Sequence, residues 1–168
     1  LLPGADRVHK VTIIPRGRTL GATHTMPSED KVSTTESELR DHLVVLLGGR
    51  AAEKMIYDET TAGAENDLER ATSMARRMVT CWGMSERLGP VSYKLSEEDP
   101  FLGREMHQHR QFSEHTMELI DQEVAKILHH ASSQAGELLT QNRDNLVKLT
   151  EALVKEEELG EDTIAELI

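Results

Sequence analysis

One cysteine, Cys81, stands in the whole sequence. No internal disulfide is possible, and a reducing compartment fits. Aromatic residues make up only 3%, so aliphatic side chains and methionine must build the core. No uninterrupted apolar run approaches the ~18 residues that a membrane-spanning helix needs, so direct membrane insertion by this chain is excluded. Basic residues are in the minority, 19 against 30 acidic, for a formal net charge of -11. That balance argues against nucleic acid as a partner, because phosphate binding needs a basic patch. It argues equally against docking on an anionic membrane leaflet. The first residues, Leu1, Leu2, Pro3 and Gly4, include no initiator Met and no basic-then-apolar leader pattern. They read as the interior of a longer protein.

What is present is enough for one domain with a real core, at 168 residues. Residues 8–15 are rich in β-branched side chains and end at Pro15, as a strand would. A turn at Arg16, Gly17 and Arg18 lets residues 19–26 return as a second strand. From Thr35 the period changes to that of a helix. Thr35 and Glu38 form a capping box, and Leu39, Leu43, Leu46, Leu47, Ala51, Met55 and Ile56 follow at helical spacing. Gly48 and Gly49 fall inside this helix at a cost of about 1 kcal/mol each, which close approach of another backbone would offset. Residues 60–63 form a turn. The next helix starts near Asn66, with Glu65, Asp67 and Glu69 at its positive end, and Leu68, Ala71, Ala75, Met78, Val79 and Trp82 make its stripe.

Residues 84–112 are irregular, with a short strand expected at 91–95. Ser113 caps a helix of nearly thirty residues, striped by Met117, Ile120, Val124, Ile127, Ala131, Ala135 and Leu138. Asn142 breaks it, Leu146, Leu149 and Leu153 mark an antiparallel partner, and a short helix closes the chain. The organisation is thus a β-hairpin region (1–34), two core helices (35–83), the irregular segment (84–112) and a C-terminal helical bundle (113–168). The fold class is mainly α with a small β-hairpin or sheet.

Several segments, in order, carry a resemblance. The run from Val8 through His9, Lys10, Val11, Thr12, Ile13, Ile14, Pro15 and Arg16 to Gly17 is similar to the strand after the zinc helix in FtsH-like ATP-dependent zinc metalloproteases. Gly48-Gly49-Arg50-Ala51-Ala52-Glu53 resembles that family's Gly-Gly-Arg-x-Ala-Glu helix segment. Thr61-Ala62-Gly63-Ala64-Glu65-Asn66-Asp67-Leu68 resembles its Thr-x-Gly-Ala-x-Asn-Asp-Leu element. Shorter matches follow at Trp82-Gly83-Met84-Ser85, Leu88-Gly89-Pro90, Phe101-Leu102-Gly103-Arg104 and Ile120-Asp121-Gln122-Glu123-Val124.

The resemblance implies a helical zinc-metallopeptidase domain of the FtsH type. In that family two histidines of a His-Glu-x-x-His helix and one distant aspartate hold zinc, and the glutamate acts as general base on zinc-bound water. By residue-wise match, Asp67 is the third ligand; it is also an ordinary first-turn acid favoured by the helix dipole, and both readings hold together. Glu53 is a candidate support for the metal site, or equally a solvated helix acid. Substrate polypeptide is expected along an edge strand formed by Leu20, Gly21, Ala22, Thr23, His24, Thr25 and Met26, by β-augmentation. No His-Glu-x-x-His occurs in this sequence. No catalytic residue is therefore expected within the chain, which by itself is expected to be inactive, an N-terminally truncated peptidase domain. The parent is expected to be a homo- or hetero-hexamer coupled to an ATPase that binds ATP and Mg outside these residues. Its anchor would lie in a bacterial inner, mitochondrial inner or plastid membrane, with this domain soluble on the cytoplasmic, matrix or stromal side.

Other residues read more plainly. His107, His109 and His115, near Glu105 and Glu114, are spaced for a strand rather than one helix face and read as solvated. His129 and His130 read as surface, His9 and His24 as solvent-facing, and Cys81 as a small buried hydrophobe. The rival reading from another class is a non-catalytic helical assembly module.

Overall fold

The structure, a computed structural model, describes residues 1–15, 21–26, 33–93 and 112–168. Three helices make the core: α1 (Glu36–Tyr57), α2 (Glu65–Thr80) and α3 (Glu114–Gln141), each packed against the other two. The capping box forms as expected. Thr35 Oγ1 accepts the Glu38 N–H at 3.4 Å, and Glu38 Oε2 accepts the Thr35 N–H at 2.8 Å. Ser113 caps α3 by accepting the Thr116 N–H at 3.2 Å. Both caps satisfy amides that have no partner inside the helix.

The inward face of α1 is Leu39, Leu43, Val44, Leu46 and Leu47. Ala71, Ala75, Met78 and Val79 of α2 meet it, each 0% exposed. The two alanines keep α2 thin where it passes between its neighbours. Ile120, Val124, Ile127, Ala131 and Ala135 of α3 complete the core, as the stripe predicts. Burying a Leu or Ile of this kind contributes about 1.5–3 kcal/mol.

Some expectations are corrected. No atom of another element lies within 4 Å of a Cβ built on Gly48 or Gly49, so close approach does not explain these glycines among the described residues. Trp82 does not extend the buried stripe of α2. It lies past the helix end, 40% exposed, with the Arg77 guanidinium 4.8 Å from its ring centroid. Cys81 is only half-buried, because it caps the end of α2 rather than facing inward. Residues 91–93 form no strand; 94 and 95 lie outside the described residues.

The C-terminal part also differs from a simple bundle. After Asn142, α4 (Arg143–Glu156) buries no residue fully and touches β3 and α5 as much as it does α3. β3 (Glu158–Gly160) then joins the sheet before α5 (Glu161–Leu167). The sheet is antiparallel, in the order β2-β1-β3, with β1 spanning Arg7–Thr12 and β2 Ala22–Met26. The hairpin is present, but its first strand is central, because β3 adds to its far side. Val11 pairs with both Thr23 and Leu159, and a register shift lies between Val8 and Lys10. Lys10 Nζ reaches Glu158 Oε1 at 2.7 Å, and Leu159 is buried.

Open space at Gly49 has a measurable consequence. Gly49→Ala should stabilise this chain by about 0.5–1 kcal/mol, read as a higher urea midpoint at unchanged slope. A lowered midpoint would mean that another surface presses on this face of α1.

Candidate functional site

Asp67 lies in the first turn of α2. A single 3-10 turn, Ala62–Ala64, leads directly into that helix. Thr61 starts the turn: its Oγ1 accepts the Gly63 N–H at 3.2 Å. Thr61 is itself held from α1. Its N–H donates to Glu53 Oε2 at 3.0 Å and its hydroxyl donates to Glu53 Oε1 at 2.8 Å. Both oxygens of Glu53 are thus engaged by one residue, and the carboxylate clasps the segment that precedes Asp67. These two hydrogen bonds from Thr61, backbone first, hold the Glu53 carboxyl below its ordinary value, against some opposition from burial and with a smaller contribution from the Arg50 charge.

The Asp67 carboxylate is half-exposed. The one charged neighbour given to it is Arg70, with Nη1 3.9 Å from Oδ1. That distance is too long for a hydrogen bond. Neither Asp67 oxygen therefore has a hydrogen-bond partner among the described residues. Asp67 sits at the N-terminal end of α2. A half-exposed carboxylate on a helix can serve as an oxygen ligand.

Asp67 does not make a metal site alone. Among the described residues no group of three or more His, Cys, Asp or Glu side chains could hold a metal ion. A catalytic zinc takes three protein ligands, so the donors described here do not fit a complete zinc centre. His107 and His109 lie outside the described residues, and His115, His129 and His130 are exposed on α3.

The expected substrate edge falls largely on β2. Leu20 lies outside the described residues. Gly21 passes so close to β1 that a Cβ there would lie 2.7 Å from the Thr12 carbonyl oxygen. Ala22–Met26 form the outer strand, paired among the described residues only with β1, and Thr23, His24, Thr25 and Met26 are exposed. The sheet leans on α4 and α5. Among the described residues the structure joins Glu53 to Thr61 just before the helix that carries Asp67, and β2 makes no pairing with that region.

The role of Thr61 as anchor was missed in the sequence. Threonine two residues before a glycine signals a local turn, but its bond to an acid eight residues earlier depends on how α1 ends. That end is set by Asp58, which takes a left-handed conformation at φ 53° and turns the chain back along α1.

A mainly α domain with a small antiparallel sheet and a half-exposed carboxylate at a helix start is what the geometry defines. The chain belongs to peptidase family M41, whose description matches residues 1–167. It is 64% identical over 167 residues to the ATP-dependent zinc metalloprotease FtsH 1 of Rhodopirellula baltica, covering 99% of this chain and 25% of that protein. FtsH 3 of Symbiobacterium thermophilum is 46% identical over 168 residues, covering 100% of this chain and 27% of the relative. FtsH 4 of Sphaerobacter thermophilus is 46% identical over 166 residues, with 99% and 25% covered. The chain thus spans about a quarter of the length of these relatives.

The Glu53 clasp makes a pH prediction. A carboxyl whose folded pKa is depressed contributes stability above its unfolded value and loses it as pH falls through the folded one. The Thr61 amide resonance should therefore titrate with a midpoint below the ordinary glutamate value of 4.5, and Glu53→Ala should abolish the titration. A midpoint at or above 4.5 would contradict the clasp.

Proposed function

We propose that this chain is the part of an ATP-dependent zinc metalloendopeptidase that supplies its third metal ligand, Asp67. The observation that carries the reading is the Asp67 carboxylate, held on the first turn of α2 with no hydrogen-bond partner among the described residues. The names of the relatives, all ATP-dependent zinc metalloproteases, support the same assignment. Zinc in such a centre lowers the pKa of a bound water and polarises the scissile carbonyl. The two histidine ligands and the general-base glutamate belong, on this reading, to sequence outside these 168 residues. The chain alone is then inactive as a peptidase.

Glu53 acts through Thr61 rather than on the metal. Both its oxygens are already engaged, so its contribution is to fix where α2 begins and hence where Asp67 sits. β2 is the substrate-guiding edge, since its outer side is unpaired among the described residues. An extended polypeptide could add there through main-chain hydrogen bonds, with little demand on its sequence. Unfolded or membrane-extracted proteins are the substrate class. ATP and Mg, a hexameric ring and a membrane anchor belong to the rest of the protein. Among the described residues no helix is long and apolar enough to cross a membrane.

The test uses a longer version of the protein that includes the coding sequence upstream of Leu1, with zinc content and casein cleavage as readouts. The expected result is zinc binding and cleavage, both lost in Asp67→Ala, and neither shown by the 168-residue chain. Glu53→Ala should lower zinc affinity about ten- to a hundredfold, as loss of a residue supporting a metal ligand does. A longer protein that stays folded yet neither binds zinc nor cleaves would replace this reading with that of a helical assembly module.

A further inference from the structure

Behind the core, on the side of the turn that follows α2, lies an open cleft of about 740 Å³. Glu123 of α3 lines it. This side chain is only 7% exposed. Its Oε2 accepts the Ser85 hydroxyl at 2.8 Å, and Ser85 Oγ accepts the Leu88 N–H at 3.3 Å. Ser85 thereby fixes the carboxylate in one orientation. Among the described residues the other oxygen, Oε1, has no hydrogen-bond partner, and no Lys or Arg pairs with Glu123. No fully buried side-chain oxygen lacks a partner, so Oε1 must reach solvent, and the solvent it meets is that of the cleft.

A carboxylate held mostly out of water without a counter-ion is poorly solvated and gains from a matching cation. It is also preorganised, because the Ser85 bond has already restricted its rotamer. The turn that presents Ser85 is rigid for local reasons. Gly83 takes φ 63°, and a Cβ there would meet Pro90 Cα at 3.1 Å. Glu86 is a second acid lining the cleft, and Met84, Pro90 and Ile127 supply apolar surface in it.

We propose that this cleft binds an arginine side chain of another polypeptide, with its guanidinium against Glu123. Arginine fits better than lysine. Its planar fork can donate to Oε1 and keep further N–H groups for other acceptors in the cleft, and its three-carbon stem can lie along the apolar lining of Met84, Pro90 and Ile127. The cations that line the cleft do not answer Glu123. Arg40 is held by Glu36, Nη2 to Oε1 at 2.6 Å. Lys126 and His130 are exposed on α3 and make no ion pair with Glu123. Lys126 instead opposes an incoming cation. The proposal is independent of the metal ligand and of any peptidase activity.

The experiment titrates Nα-acetyl-arginine methylamide into the isotope-labelled chain and follows its amide resonances. Saturable shifts are expected at Ser85, Leu88 and Ile127. Binding should be about tenfold or more weaker for the uncharged citrulline analogue and in Glu123→Gln. Glutamine can still accept from Ser85, and retained spectral dispersion shows that the fold is intact. Lys126→Ala should tighten binding about twofold or more by removing a like charge, a gain that damage to the fold cannot produce. Absence of shifts at these residues, equal binding of the citrulline analogue, or undiminished binding by Glu123→Gln would overturn the proposal. So would preference for Nα-acetyl-aspartate methylamide, which would make the cleft an anion site.

Discussion

Ala71 and Ala75 on the buried face of α2 are the constraint on which the molecule turns. Larger side chains at these positions would push α2 away from α1 and α3, and overpacking a core costs about 1–3 kcal/mol. The alanines let α2 serve as a shared wall, with Met78 and Val79 filling the space below them. Both functional regions hang from its two ends. Asp67 is in its first turn, and Ser85 sits in the turn just past its last. The position of either group is therefore a property of the core and not of the loop that carries it.

The two engaged glutamates differ in what their surroundings ask of them. Glu53 is only half-buried, and water competes for it, so its bonds to Thr61 order a segment more than they stabilise a fold. Glu123 is nearly buried and has one donor for two oxygens. There the same functional group is left with capacity to spare. The surface ion pairs, such as Arg40 with Glu36 and Lys54 with Asp58, are open to water and contribute little to stability.

Helices were the legible part of this sequence. The stripe of α3 is correct at every position from Met117 to Leu138, because a long helix between two others leaves a strict three-four record. Caps at Thr35 and Ser113 were equally plain, being local chemistry. The errors came where an element ends or pairs with something distant. Trp82 continues the α2 period but falls after the helix has stopped. β3 is three residues, Glu158, Leu159 and Gly160, with no β-branched side chain, and it becomes a strand only because β1 lies beside it. Of the candidate site, Asp67 and Glu53 were legible only through resemblance, since as isolated residues both read as helix acids. The Thr61 clasp and the Ser85–Glu123 bond join residues 8 and 38 apart, and no local pattern records such pairs.

β3 gives the sheet a particular history. The Thr12 hydroxyl donates to the Glu157 carbonyl oxygen across 145 residues of sequence. During synthesis the hairpin of β1 and β2 emerges first and waits with its inner strand half-paired. Its final partner arrives only after all three core helices have been made. Contacts so remote close late, because the loop between them must be ordered first. The helical core thus joins elements nearer in sequence, and the small sheet closes only once the segment after those helices has folded back onto β1.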